Sequence, residues 1–121
     1  MIFKNKLHEN NFFVTLEKMK NQDAYHTSVA YLLTLDSVCF RHIGNLFDFE
    51  NDCIKLDALD ADWHTSTSRQ SVRLAFNLWN DYADDYTTPS KLFGGEYAQY
   101  YLQAICLRFN LQCDAFPIVT A

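Results

Sequence analysis

A chain of 121 residues with 49% hydrophobic and 16% aromatic content can bury one core and is too apolar to stay disordered. Its formal net charge of −5 argues against nonspecific binding to duplex nucleic acid or to anionic membranes, since both need basic faces. Three glycines and two prolines are too few for a many-turned β fold and favour helices.

In chain order, Ile2–Lys4 reads as a short extended lead. Asn5 is placed to cap a first helix over Lys6–Lys20, whose stripe is Phe12, Leu16 and Met19 with Leu7 and Phe13 at its margins. Asp23 is the next cap, opening a helix over Ala24–Leu35 in which Tyr25, Val29, Leu32 and Leu33 share a face. A short helix over Val38–Ile43 is expected to stop at Gly44. The period then changes: Phe47 and Phe49 alternate with Asp48, and Ile54 and Leu56 alternate with Lys55. Leu46–Phe49 and Cys53–Leu56 therefore read as a β-hairpin, with an irregular acidic connection over Asp57–His64.

The strongest helix lies within Thr65–Asp85. Val72, Ala75, Phe76, Trp79 and Ala83 follow the spacing of one buried helical face, widened by Leu74 and Leu78, with Arg69, Arg73, Asn77 and Asn80 opposite. Ser66, Thr67 or Ser68 is positioned to cap it. Pro89 opens a helical turn containing Leu92 and Phe93, closed by Gly94-Gly95, and a last helix runs over Glu96–Phe109. Asn110–Ala121, with Phe116, Ile118 and Val119, reads as an extension. The pattern predicts a mainly α single domain, residues 1–121. It is expected to be a helical bundle around a central helix at about 67–83, with a small hairpin at about 46–56.

No apolar run reaches membrane-spanning length and the opening MIFKNKLHENN lacks the apolar stretch of a secretory signal, so a cytoplasmic location is expected. The cysteines, Cys39, Cys53, Cys106 and Cys113, are then expected to be reduced.

Four constellations carry chemistry. Cys39 and His42 are spaced to project from one helical face, and Cys53 and His64 follow, so the four residue types suit a tetrahedral zinc ion. Against that, the spacing matches no standard zinc module, and the alternative is buried cysteines with surface histidines. An acidic belt is the second: Asp48, Glu50, Asp52, Asp57, Asp60 and Asp62 crowd one connection, and Asp81, Asp84 and Asp85 crowd the end of the central helix. Carboxylates there oppose the helix dipole, a cost that a docking role on a basic partner would explain; the alternative is a solvated face that keeps the protein soluble. The third is catalysis, for which His8, His26 and Asp23 are the available groups. No nucleophile elbow, phosphate-binding glycine loop or HExxH helix is present, and a non-enzymatic protein is expected. The last is an aromatic surplus: Tyr97, Tyr100 and Tyr101 surround one helix, so some of them are expected at the surface.

SRQSVRLAFNLWN, preceded by LFDFENDCIKLDAL, resembles a family of small proteins of unknown function carried by phages, plasmids and conjugative elements of low-GC Gram-positive bacteria. FKNKLHENNF and AICLRF resemble that family's end segments, so the resemblance covers about Ile2 to Phe109. It brings no active site with it. It implies an accessory or anti-defence role, such as blocking a type II CRISPR effector nuclease of the host by occupying its basic nucleic-acid surface. Asp57, Asp60, Asp62, Asp81, Asp84 and Asp85 would then contact the partner protein, with no direct nucleic-acid binding. A zinc-stabilised regulatory module using Cys39, His42, Cys53 and His64 is the alternative.

Overall fold

The computed structural model describes residues 1–112; Cys113, Phe116, Ile118 and Val119 lie outside the described residues. The order is α1 (Lys6–Lys18), α2 (Ala24–Leu33), α3 (Ser37–Arg41), α4 (Ile43–Leu46), β1 (Phe47–Asp48), β2 (Cys53–Ile54), a 3-10 turn (Leu56–Asp60), α5 (Ser66–Asn80), α6 (Pro89–Leu92) and α7 (Ala98–Phe109). The protein is mainly α, with a two-stranded antiparallel hairpin in the register Phe47 to Ile54 and Asp48 to Cys53. Among the described residues, no helix is long and apolar enough to cross a membrane.

Local side-chain chemistry starts the helices. Asn5 Oδ1 accepts from the His8 N–H at 2.8 Å and Asp23 Oδ1 from the His26 N–H at 3.0 Å, as their sequence positions predict. The cap of α5 is Thr65, one residue before the expected hydroxyls. Its Oγ1 accepts from the Ser68 N–H at 3.0 Å, and Ser68 Oγ accepts from the Thr65 N–H at 2.9 Å, a reciprocal capping box. Thr65→Ala is expected to lower the unfolding free energy by about 1 kcal/mol, read from the urea midpoint at unchanged slope. No loss would mean that water satisfies those first-turn donors equally well.

Two expected boundaries move. Gly44 does not stop a helix: the chain breaks at His42, and Gly44 lies inside α4. α5 ends at Asn80, because Asp81 takes a left-handed conformation (φ 67°) while its N–H still bonds Asn77 O. Asn77 Nδ2 donates to Tyr82 O at 2.8 Å and Asn80 Oδ1 accepts from the Tyr82 N–H at 3.1 Å, so two helical asparagines fix the turn-off. Ala83, expected on the buried stripe, is consequently exposed in the following loop.

The helix enclosed on all sides is α2. Its residues are buried from Ser28 onward, and α1, α5 and α7 pack around it. A helix buried this completely is stable only if its polar groups are answered inside. Ser28 donates to Tyr25 O, Thr34 to Ala30 O, and the Tyr31 hydroxyl to Ile2 O at 2.8 Å. The lead segment is thereby tied to the core, and Ile2 N–H reaches Gln103 Oε1 on α7 at 2.9 Å. Buried His8 completes this corner. Its Nε2 donates to Tyr31 O at 2.9 Å and its Nδ1 accepts from the Lys4 N–H at 3.1 Å, which requires a neutral ring. Burial pushes its pKa down, with nearby Lys4 in the same direction, against the raising effect of the Tyr31 carbonyl.

α5 forms one wall of the core with Val72, Leu74, Ala75, Phe76 and Leu78. α7 is pinned to α5 by Arg108, whose Nε donates to Leu78 O at 2.8 Å while its guanidinium lies 3.7 Å from the Tyr25 ring centroid on α2.

Candidate functional site

The outward face of α5 carries Arg69 and Arg73, one helical turn apart. Arg69 reaches back to the 3-10 turn, with Nε donating to Leu59 O at 2.9 Å and Nη2 to Ala61 O at 3.2 Å. Arg73 reaches forward to the loop after α5. Its Nε donates to Asp84 Oδ2 at 3.0 Å, its Nη1 to Gln70 Oε1 at 3.3 Å, and its guanidinium lies 4.6 Å from the Tyr86 ring centroid. Between the turn and the loop is a cleft of about 300 Å³ lined by Leu59, Asp60, Arg69, Arg73, Tyr82 and Asp84.

Asp84 organises the far wall. Besides Arg73 it accepts from the Tyr82 hydroxyl at 2.7 Å, the Thr87 hydroxyl at 2.8 Å and the Tyr86 N–H at 2.9 Å. Burial would raise its pKa, but hydrogen bonds from Tyr82, Thr87 and Tyr86 and the Arg73 charge outweigh that and hold it at about 2. Tyr82 is pushed up in turn, first by its hydrogen bond to Asp84, then by burial and by the Asp84 charge, with Asp60 adding to it.

The six aspartates expected to form one acidic surface are thus placed unequally. Asp57, Asp60, Asp62, Asp81 and Asp85 are exposed. Asp84 is half-buried and already paired, so it is a structural hub more than a surface charge. Asp60 and Asp84 share the cleft, which brings the two acidic stretches together, whereas Asp57 opens beside Lys55 into a separate depression. Only Asp81 caps the end of α5; Asp84 and Asp85 lie in the loop beyond, so their proposed conflict with the helix dipole does not arise there. Arg69 and Arg73 interrupt the belt. Their spacing of four on one helical face was the available signal, but only the folded 3-10 turn converts that pair into a cleft.

The four residues read as zinc ligands do not form a site. Cys39 is in the core, its thiol donating to Ser68 O at 3.6 Å, and burial pushes its pKa far up. The His42 ring stacks on Trp63 at 4.1 Å, so the indole occupies the space between His42 and His64. Both nitrogens of His64 are engaged, Nδ1 2.8 Å from Ser68 Oγ and Nε2 2.9 Å from Ala58 O. Burial lowers the His64 pKa, outweighing the raising effect of the Ala58 carbonyl, with Arg69, Arg73 and His42 lowering it further. Cys53 is exposed on the hairpin. Among the described residues, no group of three or more His, Cys, Asp or Glu side chains is arranged to hold a metal ion.

The tyrosines also differ from expectation. Tyr101 is buried, its hydroxyl 2.8 Å from Ser71 Oγ, and Tyr97 and Tyr100 are half-buried against the core. Burial, the first cause, pushes Tyr101 up to about 12 against the lowering effect of Ser71. The exposed tyrosines are Tyr25 and Tyr86.

One constellation is only half visible in the sequence, which places Asp23 beside His26 but gives no sign of Asp52. His26 is 4% exposed and sits between two carboxylates, with Nδ1 2.7 Å from Asp23 Oδ1 and Nε2 2.6 Å from Asp52 Oδ1. Only the imidazolium donates from both nitrogens, so the charged ring clasps the hairpin turn to the start of α2. Burial would lower the His26 pKa, but the hydrogen bonds and charges of Asp23 and Asp52 outweigh it and raise it. Trp79 packs edge-on against the ring at 4.9 Å.

No curated protein and no solved structure matches this chain. A family model described as "Family of unknown function (DUF6075)" matches residues 1–119, a range that includes most of the segment after Asn110. The chain therefore belongs to this family of unknown function.

Proposed function

We propose that this protein is a non-enzymatic inhibitor that docks an acidic face on the basic, nucleic-acid-binding surface of a host protein and blocks loading. The intended partner is a type II CRISPR effector nuclease, on the context implied by the family resemblance. The observation that supports the reading is that Asp57, Asp60, Asp62, Asp81 and Asp85 are all exposed and none pairs with a cation among the described residues. Five unpaired carboxylates spread around the 3-10 turn and the end of α5 give a negative field that accelerates and orients encounter with a basic groove.

The test reverses Asp57, Asp62, Asp81 and Asp85 to lysine together. Asp84 stays because it anchors the loop, and Asp60 stays because a lysine there would repel Arg69. Binding to the purified nuclease is expected to weaken by roughly 10- to 100-fold and to lose most of its salt dependence, with the thermal midpoint nearly unchanged. Unchanged binding and unchanged salt dependence in the reversed protein would overturn the acidic mechanism. Absence of binding by the wild-type protein would remove the nuclease as partner.

A further inference from the structure

We infer that the cleft between the 3-10 turn and α5 binds a small zwitterion of the α-amino acid class, carboxylate on Arg69 and Arg73 and ammonium on Asp60. Donor inventory carries the first half. Arg69 spans the carbonyls on either side of Asp60 and pairs with no carboxylate among the described residues. Among the described residues, its Nη1 has no acceptor, and neither does Nη2 of Arg73. The two guanidiniums are fixed in advance, Arg69 by backbone carbonyls and Arg73 by Asp84, Gln70 and the Tyr86 ring. A planar fork held this way loses little freedom when it receives a carboxylate.

Charge balance selects the ligand. The cleft contains Arg69, Arg73, Asp60 and Asp84, two cations and two anions, in a protein of formal net charge −5. The Arg73–Asp84 pair is internally neutral, which leaves Arg69 and Asp60 without an oppositely charged side-chain partner among the described residues. A simple anion would answer Arg69 but face both carboxylates, and a phosphate dianion would do so at higher cost. A molecule with a carboxylate and an ammonium answers both groups and adds no net charge. The volume of about 300 Å³ suits an amino acid and lies at the small end of ligand pockets. The Tyr82 hydroxyl and Leu59 complete the lining, giving the ligand's side chain one polar and one apolar neighbour.

Asp60 is shared with the docking proposal, but the two tests are separable, because the four aspartates reversed in that test do not line this cleft. The experiment follows the Arg69 Nε–H resonance of the full-length protein by NMR while glycine, L-alanine, L-leucine, acetate, methylammonium and inorganic phosphate are each titrated. Saturable shifts are expected with at least one amino acid on the order of 1 mM, with acetate at least about tenfold weaker and methylammonium and phosphate weaker still. Arg69→Gln and Asp60→Asn are each expected to weaken amino-acid binding about tenfold or more. Asp60→Asn leaves every hydrogen bond of the native turn intact, so it stays informative if Arg69→Gln perturbs the fold. Three results overturn the inference: no saturation by any amino acid, acetate or phosphate binding as well as the amino acids, or Asp60→Asn binding like wild type.

Discussion

Phe76→Ala is expected to remove about 3–5 kcal/mol of unfolding free energy, the cost of deleting a fully buried aromatic side chain and leaving a cavity. Phe76 is on the inner face of α5 with no exposed surface, where α5 meets α2 and α7. It also stands edge-on to Tyr82 at 6.5 Å, so the truncation loosens the segment that carries Asp84 as well as the core. Single domains of this size have roughly 5–15 kcal/mol in total, so the variant would sit close to its unfolding transition at physiological temperature. Urea denaturation checks this, with the midpoint falling and the slope unchanged. Phe76→Leu, which keeps most of the volume, is expected to cost less than half as much. A loss below about 1 kcal/mol for Phe76→Ala would mean that α2 and α5 close over the gap, contradicting the packing described.

His26→Ala is expected to cost about 2–4 kcal/mol near pH 6, with a pH dependence that identifies the clasp. Two charge-assisted hydrogen bonds are lost, each worth about 1.5–3 kcal/mol when sheltered, and the sum is discounted because the Asp23 carboxylate is half-exposed. The groups facing the ring are Asp23 from the start of α2 and Asp52 from the hairpin turn; Phe47 and Trp79, which also pack on it, do not titrate. The folded pKa of His26 is raised above its usual 6.5. Its contribution is therefore complete below about 6.5 and is lost as pH rises through the folded value. Asp23 is lowered below its usual 3.8, because its hydrogen bonds and the His26 charge outweigh the opposing effect of burial. That contribution is present above about 3.8 and is lost as pH falls through the folded value. The difference in stability between wild type and His26→Ala should thus be greatest between about pH 4 and 6.5 and shrink above it. His8 and His64, both lowered, act oppositely and destabilise the fold as pH drops, so the raw wild-type curve mixes the two trends. The subtraction isolates His26, and a difference that stays flat from pH 5 to 8 would show that the ring is not charged in the clasp.

The parts of this fold that the sequence reveals are those decided within one helical turn. Asn5 and Asp23 act as caps because their side chains reach N–H groups three residues away, and the α5 stripe is visible because its period is that of a helix. The errors lie where a distant group decides. Gly44 sits in a helix because nothing at that point requires a left-handed residue, whereas Asp52, Asp81 and Asn110 take that conformation although none is glycine. Cys39, His42 and His64 do come near one another around the start of α5. The Trp63 ring between the two histidines and the bonds already made by Cys39 and His64 work against a metal site, and no spacing rule encodes either. The His26 clasp joins positions 26 residues apart, and the Arg69 cleft depends on carbonyls whose direction is set by a 3-10 turn read in advance as irregular.

The enclosure of α2 also sets an order of events during synthesis. Its walls are α1, which precedes it, and α5 and α7, which emerge much later. At a translation rate of about 5–20 residues per second, the run Val29–Leu33 waits for seconds with only α1 to shelter it. In that interval the largely apolar run Val29–Leu33 is open to chaperones, proteases and other nascent chains. A substitution that exposes more of α2 therefore acts twice, once on the finished domain and once on the chain that waits for α7.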